Sequence, residues 1–377
     1  MAEKEAQHFV SRFYLRNFNP GPVGKEVKSI AFYDLKRKVH IQHASIAHEC
    51  QRRYLYGQDL TLENAFAQLE GKVAPIFKKI IRLNQRPKVL TEEFFHFLSF
   101  LVFQYLKTPA HGKQINWMAT MAMRIMTKGA KEFEGIDTSK FVLKSTMPEV
   151  FALGQAREMV PLLGDLCTKI LVNKTDVEFI TSDAPVVFFN QWCQEWPLGG
   201  NIGVLSLGLQ IFFPISNRHV VVLYDSEVYV AGKGDQVVEV TNPRDVEMIN
   251  AIQLLSADEK LYYSGDQKTK ESIGRLPLEH YRTPEKALHA NKSVGVDEDP
   301  EFTSELIHIT SRPTEFRLDL GALKIRNSKR NVLLDERVRK YRKHAKQFDD
   351  MTRGPSSLRY PPRPKGPTLF KGFEPLE

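Results

Sequence analysis

Apolar positions recur at helical spacing in the first half of the chain, and the second half breaks into short apolar runs divided by Asp, Pro, Gly and Asn. Leu62, Phe66, Leu69, Val73, Ile76, Phe77 and Ile80 mark one face of a helix over 61–83, with Thr61 as its N-cap. Thr91 caps a second helix, 94–107, apolar on nearly every side and therefore central, which Pro109 stops. Residues 112–134 and 147–172 give two more helical patterns. Residues 8–18 read as a short helix with His8, Arg12 and Arg16 along one stripe, and 30–33 with 38–41 as a hairpin. The later runs, 177–181, 209–213, 219–224, 228–230 and 260–263, are strands, interrupted by a helix opening at Thr241-Asn242-Pro243.

Helices first and strands later, without βα alternation, predict an α+β fold. Its helical N-terminal half packs on a mostly antiparallel sheet from the second half, with a basic C-terminal extension. The expected division is a core domain over 1–270, a linker and irregular extension over 271–320, a basic helix over 321–350 and a Pro-rich mobile tail over 351–377. The strong apolar runs end early, so a chain ending at Gly321 is expected to fold.

Charge changes this picture by its location. The net charge is +8, yet residues 324–377 carry 15 Lys and Arg against 6 Asp and Glu, leaving the body near neutrality at −1. A neutral body with a basic appendage suits a polyanionic partner, DNA ahead of RNA. With 42% hydrophobic residues the chain is not a disordered one. No apolar run is long enough to span a bilayer, no secretion signal opens the chain, and Cys50, Cys167 and Cys193 read as reduced thiols; a cytoplasmic protein without membrane attachment is expected.

Candidate chemistry gathers at few places. His8 and Arg12 offer converging donors for a phosphate or carboxylate. Glu63 and Glu70, two turns apart, sit at the margin of their helix's apolar face, where carboxylates either do acid–base or metal chemistry or form ion pairs with Arg12, Arg16 or Lys107. Asp183, in the Thr181–Pro185 turn after a strand, is a base or ligand, or closes that turn. Ser182 lacks a Gly-x-Ser-x-Gly elbow. His40, His43, His48, Glu49 and Cys50 match no zinc spacing, and Gly199–Gly203 is not a phosphate loop.

Four segments resemble a bacterial family of unknown function, family 4238, over roughly residues 7–265. They are His-Phe-Val-Ser-Arg-Phe-Tyr-Leu-Arg-Asn-Phe at 8–18, Tyr54-Leu55-Tyr56 before the Glu63 and Glu70 helix, Phe103 to Pro109, and Phe179 to Pro185 followed by Phe213 to Ser216. Members usually have Arg where this chain has Lys107. The resemblance implies a bacterial protein, often beside mobile or defence genes, and assigns no activity.

The expected function is a nucleic-acid-acting hydrolase, either a base-excising glycosylase or a metal-dependent nuclease, in antiphage defence. The alternative is a non-catalytic nucleic-acid or protein-binding module using the tail. The expected catalytic residues are Glu63, Glu70, Asp183 and His8. Arg12, Arg16, Lys107, Ser182, Arg337, Lys340, Arg342 and Lys343 are expected to contact nucleic acid. No cofactor is expected for a glycosylase, and Mg²⁺ for a nuclease.

Overall fold

The computed structural model describes residues 5–19, 21, 26–128, 131–196, 201–234, 236–276, 288–296, 303–311, 316–338, 341–345, 369–370 and 374–375, of which 288–296, 303–311, 369–370 and 374–375 by their backbone alone. Lys340, Gly199, Gly200, most of the Pro-rich tail and part of the expected linker lie outside the described residues.

The first half begins with β1 (Ala6–His8), α1 (Arg12–Arg16), β2 (Ser29–Asp34), β3 (Val39–Ser45) and β4 (Gln51–Arg53). His8 therefore ends a strand, paired with Gln51 of β4, and does not begin the helix. Ser11 has extended backbone geometry, so His8 and Arg12 share no helical stripe. The β2–β3 hairpin forms as expected, with Phe32 opposite Ile41. Its turn is closed by Asp34 Oδ1, which accepts the N–H groups of Lys36 and Arg37 at 3.0 and 2.8 Å.

Helices α2 (Thr61–Leu83), α3 (Glu92–Leu106) and α4 (Pro109–Thr127) follow. Thr61 is the first helical residue of α2, and Asp59 Oδ1 accepts its N–H and its hydroxyl. Thr91 caps α3 as expected, accepting Phe94 N–H at 3.3 Å. Pro109 starts α4 directly after α3, because proline fits the first helical position as readily as it ends a helix. The 147–172 pattern divides into α5 (Pro148–Leu153), α6 (Ala156–Leu162) and β5 (Cys167–Asn173), a strand buried on both faces and hence continuously apolar at its centre.

The second half supplies β6 (Thr181–Ser182), β7 (Val187–Phe189), β8 (Gln210–Ser216), β9 (His219–Tyr224), β10 (Tyr229–Val230), β11 (Val237–Val240), α7 (Pro243–Ser256), β12 (Lys260–Tyr263) and α8 (Gln267–Arg275). A five-stranded sheet runs β11-β5-β9-β8-β7, antiparallel apart from the β11–β5 pair. A four-stranded antiparallel sheet runs β3-β2-β12-β6 and ties the two halves together. The fold is α+β. No described helix is long and apolar enough to cross a membrane.

An aromatic cluster joins helices to sheet. Tyr14 stacks on Phe213 with ring centres 5.3 Å apart, and Phe77 and Phe100 pack edge-on beside them. The Tyr14 hydroxyl donates to Pro214 O and shares a hydrogen bond with Thr181 Oγ1, each at 2.6 Å. One ring with a polar tip thus fixes α1 against β6 and β8.

Beyond α8 the chain forms the long hairpin β13 (Leu288–Val296) and β14 (Thr303–Ser311), then β15 (Lys324–Ile325), α9 (Asn327–Arg330) and α10 (Leu334–Val338). The expected linker and basic helix are corrected here. Phe316, Leu318, Leu320 and Leu323 are buried in the core that covers one face of the five-stranded sheet, and β15 pairs with β10. Alternate spacing at 316, 318 and 320 is an extended segment lying on that core. In place of one basic helix the described residues form the short helices α9 and α10 and helical residues at 343–345, with two arginines of the region anchored to the body. Arg337 donates to Trp192 O at 2.8 Å and lies over the Trp192 ring. Arg342 is 3% exposed and donates to Asp165, Leu162 O and Val204 O. Lys343 is exposed. Arg337 and Arg342 are therefore structural clamps and not contacts for nucleic acid. Cations spread round a supposed helix carried no sign of which would be buried.

Candidate active site

Five expected residues from four elements meet on one side of α2. Glu63 and Glu70 come from α2, Lys107 from the C-cap of α3, His8 from β1 and Arg12 from the start of α1. The half-turn between α3 and α4 aims Lys107 inward, where its side chain is 2% exposed and its ammonium lies 5.0 Å from the Phe66 ring centre. Its carboxylate partner is Glu70, at 3.7 Å. Ser11 also donates to Glu70 Oε1. Both contacts fall on Oε1, and among the described residues Oε2 makes no hydrogen bond, which leaves it for water or a ligand.

Burial lowers the Lys107 pKa, and the negative charges of Glu70 and Glu63 oppose it. Glu63 is half-buried. Burial pushes its pKa above the usual carboxylate range, Lys107 pulls it back, and the Glu70 charge pushes it up again. Arg12 is exposed at the rim and near enough to act on His8 and Glu63. His8 has its pKa lowered by burial and then by Arg12. Its Nε2 lies 3.3 Å from Ala47 O, which sets the neutral tautomer with the proton on Nε2 and leaves Nδ1 as an acceptor. Tyr56, fully buried below, reaches the backbone oxygens of His8 and Lys107 at 3.4 and 3.5 Å, and its ring packs edge-on to Phe66. The result is two carboxylates in unlike settings beside a buried ammonium, a neutral imidazole and a surface guanidinium.

The other expected residues are employed elsewhere. Arg16 pairs with Glu26 at 2.7 Å. Ser182 is fully buried and donates to Gln253 Oε1 at 3.1 Å, so it offers nothing to a nucleic acid. Asp183 is buried at the end of β6, and its carboxylate accepts three successive backbone N–H groups. These are Asp258 at 2.7 Å, Glu259 at 2.7 Å and Lys260 at 3.1 Å, so it fastens the α7–β12 turn. Burial pushes its carboxyl up to about 6, against the pull of those three donors. Its charge acts on Cys50 and Tyr262. We expect Asp183→Asn to keep the chemistry and lose stability. Its amide cannot accept three N–H groups on two oxygens, and a buried unsatisfied donor costs about 1–3 kcal/mol. A lowered melting temperature with unchanged turnover checks this; the reverse pattern would return Asp183 to the active site.

A second polar group was not legible in the sequence. Glu49 Oε2 accepts Lys260 Nζ at 2.7 Å and the Tyr262 hydroxyl at 2.8 Å, and the Cys50 thiol lies 3.2 Å from that hydroxyl. Lys260 also sits 4.2 Å from the Phe32 ring centre. More than two hundred residues separate these partners, and the fold brings the bend between β3 and β4 onto β12. His40 bonds the Tyr263 hydroxyl at 2.9 Å, so it and Glu49 serve separate contacts. Among the described residues no three His, Cys, Asp or Glu side chains are grouped to hold a metal ion. Glu63 and Glu70 alone fit a divalent cation poorly, because the Lys107 ammonium already occupies the position of positive charge beside them.

A family model described as "Protein of unknown function (DUF4238)" matches residues 6–267, well over half of the chain. The chain belongs to that family. No curated protein and no solved structure matches it.

Proposed function

We propose that this DUF4238 protein is a hydrolase that excises bases from nucleic acid, DNA ahead of RNA, using Glu63 and Glu70 without a metal. The observation that carries the reading is the contrast between the two carboxylates. Glu63 is half-buried with its pKa raised by burial and makes no hydrogen bond among the described residues, whereas Glu70 meets an ammonium and a hydroxyl. Carboxyls with their environments set apart in this way divide into an acid and a base.

In the proposed reaction Glu63 gives its proton to the leaving base as the N-glycosidic bond breaks. Glu70 Oε2 takes a proton from the water whose oxygen bonds to C1′, and its charge offsets the cation-like sugar. The products are the free base and a sugar hydroxyl, so atoms and charge balance. Arg12 at the rim meets a flanking phosphate. Neutral His8 accepts a hydrogen bond at Nδ1 and orients the substrate or the water. The basic excess of the C-terminal region, together with the mobile or defence genes that the resemblance implies as frequent neighbours, supports an antiphage setting.

The test incubates the full chain with modified and unmodified DNA and RNA, with Mg²⁺ or with chelator, and runs denaturing gels before and after alkali. Breaks that need alkali and survive chelation are the expected result. Direct breaks that need Mg²⁺ would point to a nuclease instead. Unchanged substrates that are nonetheless bound would point to a non-catalytic module.

The pH profile adds a signed expectation. An acid works only while protonated, so kcat/KM falls as pH rises through the elevated Glu63 pKa. Lys107 lowers that pKa, so Lys107→Met should move the alkaline limb upward. A limb that stays in place, or moves down, would remove Glu63 as the acid.

A further inference from the structure

The extension beyond the family's residues carries a feature that the Glu63 cluster does not explain. β15 and α9 together with Val230 of β10 enclose an open groove of about 400 Å³, lined by Val230, Lys324, Ile325, Arg326, Asn327, Ser328 and Arg330. Three of its seven lining residues are cationic and none is acidic. Val230 and Ile325 make an apolar floor, and Asn327 and Ser328 add neutral polar groups.

The cations are not equivalent. Arg326 is fixed by its Nε donating to Ser226 O at 2.8 Å and by its backbone N–H donating to Val228 O. The nearby carboxylate of Glu227 is already met by Lys329 at 2.7 Å. Lys324 and Arg330 are exposed, and their charged groups make no hydrogen bond or ion pair among the described residues. A lined groove with two uncommitted cations, one anchored cation and no counter-charge is built for a multiply charged oxyanion. No aromatic side chain lines it, so it has no platform on which a base would stack.

We propose that this groove holds consecutive backbone phosphates of a nucleic acid, through Lys324, Arg326 and Arg330, and reads no base. The choice of a nucleic acid rests on the function proposed above; the preference for a phosphate oxyanion does not. The site differs from the sequence expectation, which placed this contact at Arg337, Lys340, Arg342 and Lys343.

The test uses the full chain carrying Glu63→Gln, so that turnover does not consume the probe. Binding of a fluorescent 20-nucleotide strand and of its duplex is followed by anisotropy across a salt series. Lys324→Gln with Arg330→Gln should remove two phosphate contacts and make the salt slope shallower by about 1.4–1.8. One decade below 1 M salt, that is a loss of roughly 25- to 60-fold in affinity. The swaps Lys324→Arg and Arg330→Lys should keep the slope. ATP and pyrophosphate serve as competitors, and weak competition by both is expected of a site that spans a polymer backbone. An unchanged slope in the glutamine variant would overturn the proposal, as would a failure of the parent to bind either probe. Competition by ATP or pyrophosphate at concentrations matching the strand's affinity would make it a small-anion site and overturn it too. Base loss by the unsubstituted chain in the gel assay, with an unchanged salt slope in the glutamine variant, would sink the groove alone. Groove-dependent binding without base loss would sink the hydrolase reading alone.

Discussion

A chain ended after residue 315 is expected not to reach the native state, whereas one ended after residue 345 is expected to unfold cooperatively. The segment between them lies wholly outside the family's residues, yet it completes the core. Phe316, Leu318, Leu320 and Leu323 are all nearly fully buried against the sheet core that includes Tyr229, Val246 and Ile249. At about 1.5–3 kcal/mol for each large side chain buried, their loss removes about 6–12 kcal/mol before the ordering cost of the segment is returned. Typical domains have about 5–15 kcal/mol in total. Polar losses add to this. The Asp245 carboxylate, itself buried, accepts the N–H groups of Gly321 and Ala322 at 3.0 and 2.9 Å. Gln194 exchanges hydrogen bonds with Leu318, and Trp192 Nε1 donates to Lys329 O at 2.9 Å. Cutting at 321 spares Phe316, Leu318 and Leu320 but still loses Leu323, the Trp192 bond and both arginine clamps. Calorimetry and near-ultraviolet circular dichroism check the expectation; a sharp native-like transition in the 1–315 chain would refute it.

That outcome also marks where the sequence was readable. Periodicity exposed α2 and α3, because seven apolar residues at helical spacing leave few alternatives, and Thr91 signalled a start that the structure uses. The hairpin and the strands β8 and β9 were equally plain. The pattern at 316–323 was hidden for a simple reason. Four isolated apolar residues among Arg317, Asp319 and Gly321 look like surface until an existing core receives them. The strand at β5 was read as helix because a strand buried on both faces shows no alternation. Within the site, the margin position of Glu63 and Glu70 was legible from helix geometry alone, and Lys107 was a named alternative partner. Asp183 was different. A buried carboxylate under three N–H groups and one poised for catalysis leave the same mark in sequence, a polar residue after a strand; only the donors of residues 258–260 separate them. The Glu49, Cys50, Lys260 and Tyr262 group left no mark as a group, since no local spacing encodes a contact between a bend and a strand more than two hundred residues later.

Glu63→Gln is expected to lower turnover by about 10²–10⁴ while leaving the melting temperature unchanged or slightly higher. The size follows from loss of one proton-transferring group. The stability sign follows from the site. Glu63 makes no hydrogen bond among the described residues, and burial, the largest cause of its shift, disfavours its charged form. A neutral isostere therefore gives up only the weaker attraction to Lys107 and Arg12 and relieves a desolvation cost. Glu70→Gln should lower turnover as well, but with an opposite effect on stability. Lys107 would keep its ammonium buried with its nearest counter-charge gone, leaving only the weaker pull of Glu63. Fully buried pairs lose about 3–5 kcal/mol on such a break; Glu70 is 30% exposed, so about 2–3 kcal/mol is expected here. The double substitution Glu70→Gln with Lys107→Met should recover most of that stability without recovering turnover, since the stranded charge is gone and the base is still missing. Melting curves and single-turnover rates on one oligonucleotide separate the two glutamates. A fully active Glu63→Gln protein would remove the acid from the scheme. Full activity in the double variant would reduce Glu70 and Lys107 to a structural pair and leave base excision here without its water-activating group.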